Sequence, residues 1–441
     1  EMINTKKEGI MSEEKTTSSL RLIQEADIKD KVVLIRVDHN TVKKGRIKDP
    51  TRIDASIGTI FNVVSRGGKP ILMTHIGRPR NKKTGKINCL PDRSVSPIVA
   101  YLEKKLRIKI EVPELSIHPE DGITTIDRSI WPSILRLRDG TIGALYLPNV
   151  RWFQGEQTNG PERNRLARKL ASLAGVYVND AFGSWRPHAS TFDITKYIPS
   201  YAGYLLQEEI TNLEKVLNPT RPFVAVVAGT KYDTKIDPVK ELYKRVDHLI
   251  LGGVMYNTFL CAKYGVTIGA VPKEDIDLAQ ELVQLDKKEG KIIELPLLVE
   301  SEHLGEKIEG KTKTIAVKNF KKGKQYPYIL DADPESFQSS SILDVLHSAR
   351  TILVNAVMGL IPHFREGSQA LYAAVDSNGK ALKLYGGGDT IEELKYSCPG
   401  IYMRGLDDPH CYYFTGGGTV LKALEEGSPF KIKPVERLLR V

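Results

Sequence analysis

Short continuous apolar runs alternate with longer stretches of helical period along this chain, the pattern of buried strands wrapped by helices. In the first half the runs at 31–37, 70–74, 144–147 and 175–178 predict strands. Between them, 53–64, 96–106 and 161–173 carry apolar residues at helical spacing, and Gly67-Gly68 stops the first of these. The stretch 108–139 holds Pro113, Pro119 and Pro132 with weak periodicity, and reads as a strand plus an irregular insertion. A long amphipathic helix over 204–217 follows, with Leu205, Leu206, Ile210, Leu213, Val216 and Leu217 on one face and Asn218-Pro219 closing it. The alternation then restarts, with strands at 223–227, 248–251, 291–298, 351–354, 382–385 and 412–414. This is an α/β chain in which parallel sheets are wrapped by helices.

Ligands of such sheets gather at the carboxyl ends of the strands. Four strand ends in the first half carry Arg36/Asp38/Asn40, His75/Arg78, Asn149/Arg151 and Asn179/Asp180. Arginines converging from several ends suggest an anion pocket. The second half offers glycine instead, in Gly229, Gly252-Gly253, Gly386-Gly387-Gly388 and Gly416-Gly417-Gly418. The run at 382–385 breaks into Gly386-Gly387-Gly388-Asp389-Thr390 and then a helical pattern at 391–396, which Asp389 or Thr390 is placed to cap. Glycine admits close approach, and a helix start presents unpaired N–H groups and positive dipole. Those five residues outline a phosphate cradle, with Asp389 available to a divalent cation; a ligand-free strand-to-helix turn is the other reading of them alone. Arginines in one half and glycine backbone in the other are what a transferase with two substrates needs.

A length of 441 residues suggests two domains. With 41% hydrophobic and 27% charged residues the composition is that of a soluble globular protein, and no apolar run reaches the length of a membrane span. Residues 1–20 mix Lys, Glu, Ser and Thr and read as a mobile tail rather than a secretory signal, with Glu1, Glu8, Glu13 and Glu14 arguing against a mitochondrial presequence. Cys89, Cys261, Cys398 and Cys411 are scattered without metal-ligand spacing, which suits free thiols in a reduced compartment. The net charge of +10 is spread along the chain without a nucleic-acid-binding motif, so small anionic substrates are the expected partners, not nucleic acid or membrane.

The motifs then fall into a family order. Arg-Val-Asp-His-Asn at 36–40, Asp-Pro-Thr-Arg-Ile at 49–53, His-Ile-Gly-Arg-Pro at 75–79, Asn-Val-Arg-Trp at 149–152 and Asn-Asp-Ala-Phe-Gly at 179–183 come first, with Pro-His-Ala-Ser at 187–190. Gly-Thr-Lys-Tyr-Asp-Thr-Lys-Ile at 229–236, Gly-Gly-Val-Met-Tyr-Asn-Thr-Phe at 252–259, Gly-Gly-Gly-Asp-Thr at 386–390 and Thr-Gly-Gly-Gly at 415–418 follow. From about Val32 onward the chain resembles phosphoglycerate kinase. The resemblance implies two Rossmann-like domains joined by a long helix and hinge: a phosphoglycerate-binding domain over 21–203, an interdomain helix over 204–218, a nucleotide-binding domain over 219–427, and a tail over 428–441 returning to the first domain. It implies that Asp38, Asn40, His75, Arg78, Arg151 and Arg186 line the acid-substrate pocket, with Arg52 near the transferring group. Lys231 and Lys235 join Arg52 as catalytic residues, and the nucleotide meets Gly229, Thr230, Gly252, Gly253, Asn355, Gly386, Gly387, Gly388 and Thr390, with Asp389 holding Mg2+. 3-Phosphoglycerate and ATP are the implied substrates, a monomer the implied state, and the cytoplasm the expected location, an organellar form being compatible.

The chain departs from the family at several places. His39 stands where Phe is usual, and the loop Gly183 to His188 is one residue short, with one of two histidines missing. Val354-Asn355-Ala356-Val357-Met358-Gly359 replaces Trp-Asn-Gly-Pro-Met-Gly, Val254 replaces a further glycine after Gly253, and Leu360-Ile361-Pro362-His363 occupies the place of a ribose-binding acid. These changes are expected to weaken or reshape nucleotide binding while sparing the charged groups nearest the chemistry. A catalytically weakened homologue acting as a scaffold or assembly subunit is the alternative function.

Overall fold

The computed structural model describes residues 19–229 and 236–440. The chain divides into two compact units, Glu1–Thr211 with Pro429–Val441, and Asn212–Ser428, and the helix Tyr204–Leu217 crosses the boundary. Of the expected tail only Ser19 and Leu20 are described; Leu20 bridges Leu439, so the two ends of the first unit's chain pair.

The first unit holds β1 (Val32–Val37), a small hairpin of β2 (Val42–Lys43) and β3 (Arg46–Ile47), β4 (Lys69–Met73), β5 (Ile110–Glu111), β6 (Ala144–Tyr146), β7 (Val176–Asp180) and β8 (Ser200–Ala202). Apart from the hairpin these strands form one parallel sheet in the order β5-β6-β4-β1-β7-β8. The alternation along β1 divides its side chains between two cores. Val33, Ile35 and Val37 pack with Ile53, Ile60 and Leu102 from the helices Thr51–Ala55, Ile57–Ser65 and Ser96–Leu106. Val32 and Leu34 pack on the other face with Ile134, Leu137, Leu166 and Leu170 from the helices Trp131–Arg138 and Pro161–Ala171. Each fully buried aliphatic side chain contributes about 1.5–3 kcal/mol, so a one-residue slip of β1 is strongly disfavoured. By the same alternation Arg36 falls on the face of Val32 and Leu34.

In the second unit β9 (Phe223–Gly229), β10 (His248–Gly252), β16 (Thr351–Asn355), β17 (Leu382–Gly386) and β18 (Cys411–Phe414) form a parallel sheet ordered β10-β9-β16-β17-β18. Between β10 and β16 the chain adds β11 (Thr267–Ile268) paired with β14 (Gln325–Tyr326), and an antiparallel sheet of β12 (Leu297–Ser301), β13 (Thr312–Ala316) and β15 (Tyr328–Ala332).

Four local expectations are corrected. The strand expected at 291–298 is confined to Leu297–Ser301 and belongs to the antiparallel sheet. Pro296 lacks the N–H a ladder needs, and the preceding residues make only the bridge Leu249–Ile292 with the main sheet. The irregular stretch contains a helix, Trp131–Arg138, because Pro132 occupies a first-turn position where a missing N–H costs nothing. The helix expected over 53–64 is two helices parted at Ser56, whose hydroxyl donates to the Ile53 carbonyl at 2.8 Å and bonds the buried ring of His39 at 2.8 Å. Finally, neither Asp389 nor Thr390 caps its helix, which starts at Gly388 with Gly387 as N-cap at φ 108°, a conformation that favours glycine.

Asp180, at the end of β7, accepts the Leu206 N–H at 3.2 Å and so fastens the first turn of the long helix to the sheet. Burial pushes its carboxyl up to about 7, against the Thr59 and Leu206 hydrogen bonds that favour ionisation. A folded-state value above the unfolded one means stability present below pH 4 and lost as pH rises through about 7. Trp131, Trp152 and Trp185 all lie in the first unit, so tryptophan fluorescence reports its unfolding alone. In urea at pH 5 and pH 8, wild type is expected to lose on the order of 2 kcal/mol relative to Asp180→Asn over that interval; a pH-independent difference would contradict this.

Candidate active site

In the first unit the strand order reverses direction at β1, with β4 on one side and β7 on the other, and the loops leaving these strands diverge to leave a crevice. A cleft of about 490 Å³ is lined by Arg36, His75, Arg78, Arg80, Lys82, Arg151, Gln157 and the segment Gly183 to Arg186, with His188. Six of these are cations and none is a carboxylate.

Arg36 is the deepest of them, with 1% of its surface exposed. Its Nε donates to Ser190 Oγ at 3.0 Å, Nη1 to the Val37 carbonyl at 2.5 Å, and Nη2 faces His75 Nδ1 at 3.1 Å. Ser190 Oγ in turn donates to buried Glu156 at 2.6 Å, and the Ser190 N–H donates to the other oxygen at 3.0 Å. Burial raises the Glu156 carboxyl above its usual value, partly countered by Arg36. Burial first, and the charges of Arg151 and Arg36 next, hold His75 well below the ordinary imidazole range. His188 is driven down to about 3 by burial and the same arginines. Both rings are therefore neutral at pH 7, and His75 Nδ1 can accept from Arg36.

Arg151 sits on a turn whose first residue, Asn149, clamps two strand ends. The Asn149 side chain accepts the Arg151 and Ile76 N–H groups at 3.1 and 3.0 Å and donates to the Ile76 and Arg93 carbonyls at 2.9 and 3.1 Å. Arg151 donates to the Gly77 carbonyl, and its buried Nε has no partner. Burial, then Arg36, lowers it to about 10, so it stays charged at neutral pH. Arg186 lies over the Trp185 ring at 5.2 Å.

His75, Arg78, Arg151 and Arg186 thus share one cleft. Asp38, Asn40 and Arg52 lie beside its wall: Asn40 accepts the Gly77 N–H at 2.9 Å, and Arg52 reaches Asp38 at 3.4 Å. Asp38 is buried, and its Oδ1 has no hydrogen-bond partner. Arg80, Lys82 and Gln157 on the wall, with Glu156 behind it, escaped the sequence reading because they sit on loops without periodicity; Ser190 belonged to the Pro-His-Ala-Ser motif at 187–190, which gave it no role. Arg36 was visible as a strand-end arginine.

In the second unit the order reverses between β9 and β16, and a second cleft of about 490 Å³ opens at their ends. Gly229, Gly253, Asn355, Gly387, Gly388, Asp389 and Thr390 line it. Gly252 and Gly386 support it from behind: a Cβ on Gly252 would meet Met358 Sδ at 2.2 Å. A Cβ on Gly417 would fall 2.3 Å from the Gly387 nitrogen, so two backbones touch at the helix start. Gly417, Gly418 and Leu421 also line the cleft; the two glycines were legible in the glycine-rich end of β18, and Leu421 was not. Leu304, Ile329 and Met358 add apolar wall that no motif marked. Thr230, Lys231 and Lys235 lie outside the described residues. Asp389 is exposed to the cleft at a helix start, and a lone carboxylate there suits a cation completed by phosphate oxygens and water. Among the described residues no group of three metal-ligating side chains is found.

A family model described as "Phosphoglycerate kinase" matches residues 23–427. The chain belongs to the phosphoglycerate kinase family. Among its relatives, the phosphoglycerate kinase of Moorella thermoacetica is 35% identical over 414 residues, covering 91% of this chain and 95% of that one. The cytosolic phosphoglycerate kinase of Triticum aestivum is 35% identical over 427 residues, covering 94% and 97%. The solved structure of the Coxiella burnetii phosphoglycerate kinase superposes with a TM-score of 0.72 at 27% identity, covering 95% of this chain and 98% of that one. As a family member the chain is a kinase acting on small molecules, with a nucleotide as one substrate. Among the described residues no helix is long and apolar enough to cross a membrane, and the four cysteines are free.

Because both cleft histidines stay neutral down to low pH, anion affinity in the first unit comes from arginine and lysine alone. Sulfate, which does not titrate near neutrality, is expected to bind with the same affinity from pH 5.5 to 8, and Arg151→Met to weaken it about tenfold. Binding that strengthens as pH falls through 6.5 would contradict the assignment.

Proposed function

We propose that the chain catalyses reversible phosphoryl transfer between ATP and the carboxylate of 3-phosphoglycerate, the carboxyl group being the acceptor. The observation that carries the reading is the contrast between the clefts: one lined by six cations, the other by glycine backbone at a helix start with Asp389 on its wall. Guanidinium groups hold carboxylate and phosphate oxygens in pairs, and Asp38 and Asn40 supply acceptors for the substrate hydroxyl. The attacking group is already an anion, so no general base is needed. Transfer then depends on in-line alignment and on neutralising the charge of the moving group. Arg52, Lys231 and Lys235 are assigned that second task.

The nucleotide phosphates are assigned to Gly387, Gly388 and Thr390, whose helix start presents N–H groups and positive dipole. Asp389 would hold Mg2+, which supplies charge neutralisation between the phosphates when bound. Leu360 and Ile361 line the cleft where the family's ribose-binding acid is absent, so that end of the nucleotide is held by apolar contact. The helix Tyr204–Leu217 serves as the hinge through which the site is closed to water, which would otherwise intercept the phosphoryl group. A monomer in the cytoplasm fits this activity.

In a coupled assay of ATP-dependent 3-phosphoglycerate phosphorylation, Lys231→Ala is expected to lower kcat by about 100-fold or more. Asp389→Asn is expected to raise the Mg2+ concentration for half-maximal rate about tenfold. No turnover by wild type, or Lys231→Ala turning over like wild type, would overturn the reading in favour of a scaffold role.

A further inference from the structure

A third cleft, of about 450 Å³, lies in the second unit between the β17–β18 edge of the sheet and the helix Pro399–Asp407, and shares no lining residue with the nucleotide cleft. Its wall contains one buried polar group without a partner and a second held only by long contacts. The hydroxyl of Tyr385 has no hydrogen-bond partner although only 1% of the residue is exposed. The ammonium of Lys383, 5% exposed, has only long contacts to Asp376, at 3.4 Å to its carbonyl and 3.8 Å to its carboxylate. Asp376 is itself held by Arg404 at 2.6 Å, so its charge is already shared. A buried donor without an acceptor costs about 1–3 kcal/mol, and a buried ammonium with poor partners costs more. Desolvation raises the Tyr385 phenol well above its usual value, which keeps it a neutral donor.

The depth of the cleft is therefore short of acceptors. Its wall also carries the reverse excess: Asp407 and Asp408 line the cleft, and among the described residues no lysine or arginine pairs with either. Asp408 instead accepts the His410 N–H at 2.8 Å. An inorganic phosphate would bring extra negative charge against these carboxylates, and a simple amine would leave Lys383 and Tyr385 unanswered. A zwitterion carrying one carboxylate and one ammonium answers both. We infer that this cleft is a binding site for a free amino acid, its carboxylate accepting from Lys383 and Tyr385 and its ammonium facing Asp407 and Asp408.

The test is isothermal titration of the full chain with each of the twenty common L-amino acids, and with acetate and ethylammonium as the two halves of the ligand. At least one amino acid is expected to bind with Kd below about 1 mM, and both half-ligands at least about tenfold more weakly. Tyr385→Phe is expected to weaken that binding about tenfold with an unchanged or higher thermal midpoint, since it removes only an unsatisfied hydroxyl. Lys383→Met is expected to weaken it at least as much. The site is refuted by any of three results: no amino acid binds, acetate binds as tightly as the best amino acid, or Tyr385→Phe binds like wild type.

Discussion

The guanidinium of Arg36 is a full positive charge enclosed at the end of the first unit's central strand, and every group it hydrogen-bonds is neutral. Burying a charge is tolerated only with close compensation. Here a buried carboxylate, Glu156, acts through Ser190 rather than by direct pairing. Arg151, part-buried with an unpartnered Nε, repeats the condition beside it. The two histidines between them cannot take on more charge, because the arginines and burial hold them neutral. The whole arrangement is a fixed, preorganised shortage of negative charge, and an anionic substrate is what relieves it. Preorganisation of this kind means little reorientation of side chains is left to be done when the ligand arrives.

That concentration of charge is a consequence of sheet order. Both units carry a parallel sheet whose sequence of strands reverses, at β1 in one and between β9 and β16 in the other. Loops leave opposite faces at such a point, and the strand ends between them stay open. The same geometry filled with arginine yields a pocket for anions; filled with glycine it yields backbone that a nucleotide's phosphates can touch. Gly417 shows how little room is left, since a side chain there would displace the Gly387 backbone, while Gly387 itself is held at a φ of 108° that favours glycine.

Much of this is legible in the sequence. Strands buried on both faces read as continuous apolar runs, so β1, β4, β9, β16 and β17 stood out with their polar ends, and Arg36, His75 and Arg151 with them. What was hidden has physical reasons. Pro132 reads as a breaker until it is known to lie in a helix's first turn, and Pro296 ends a ladder that the apolar pattern would continue. Ser56 parts one helical period into two helices because its hydroxyl is shared with Ile53 and His39, and His39, in place of an apolar ring, also bonds Tyr146 at 2.9 Å. Ser190 and Glu156 lie in loops, where nothing in residue spacing announces a buried hydrogen-bond chain. The third cleft is invisible in sequence for a different reason: Tyr385 and Lys383 belong to an ordinary strand pattern, and only packing reveals that the Tyr385 hydroxyl lacks a partner and that Lys383 has only long contacts.

The central claim is a division of labour, with the acid substrate answered by the first unit and the nucleotide by the second. Hydrogen–deuterium exchange with each ligand added singly tests it most directly. 3-Phosphoglycerate alone is expected to slow exchange in peptides covering 75–80 and 183–188 and to leave 386–390 unchanged, while Mg-ADP alone is expected to do the reverse. Protection of the same unit by both ligands, or of neither, would contradict the account.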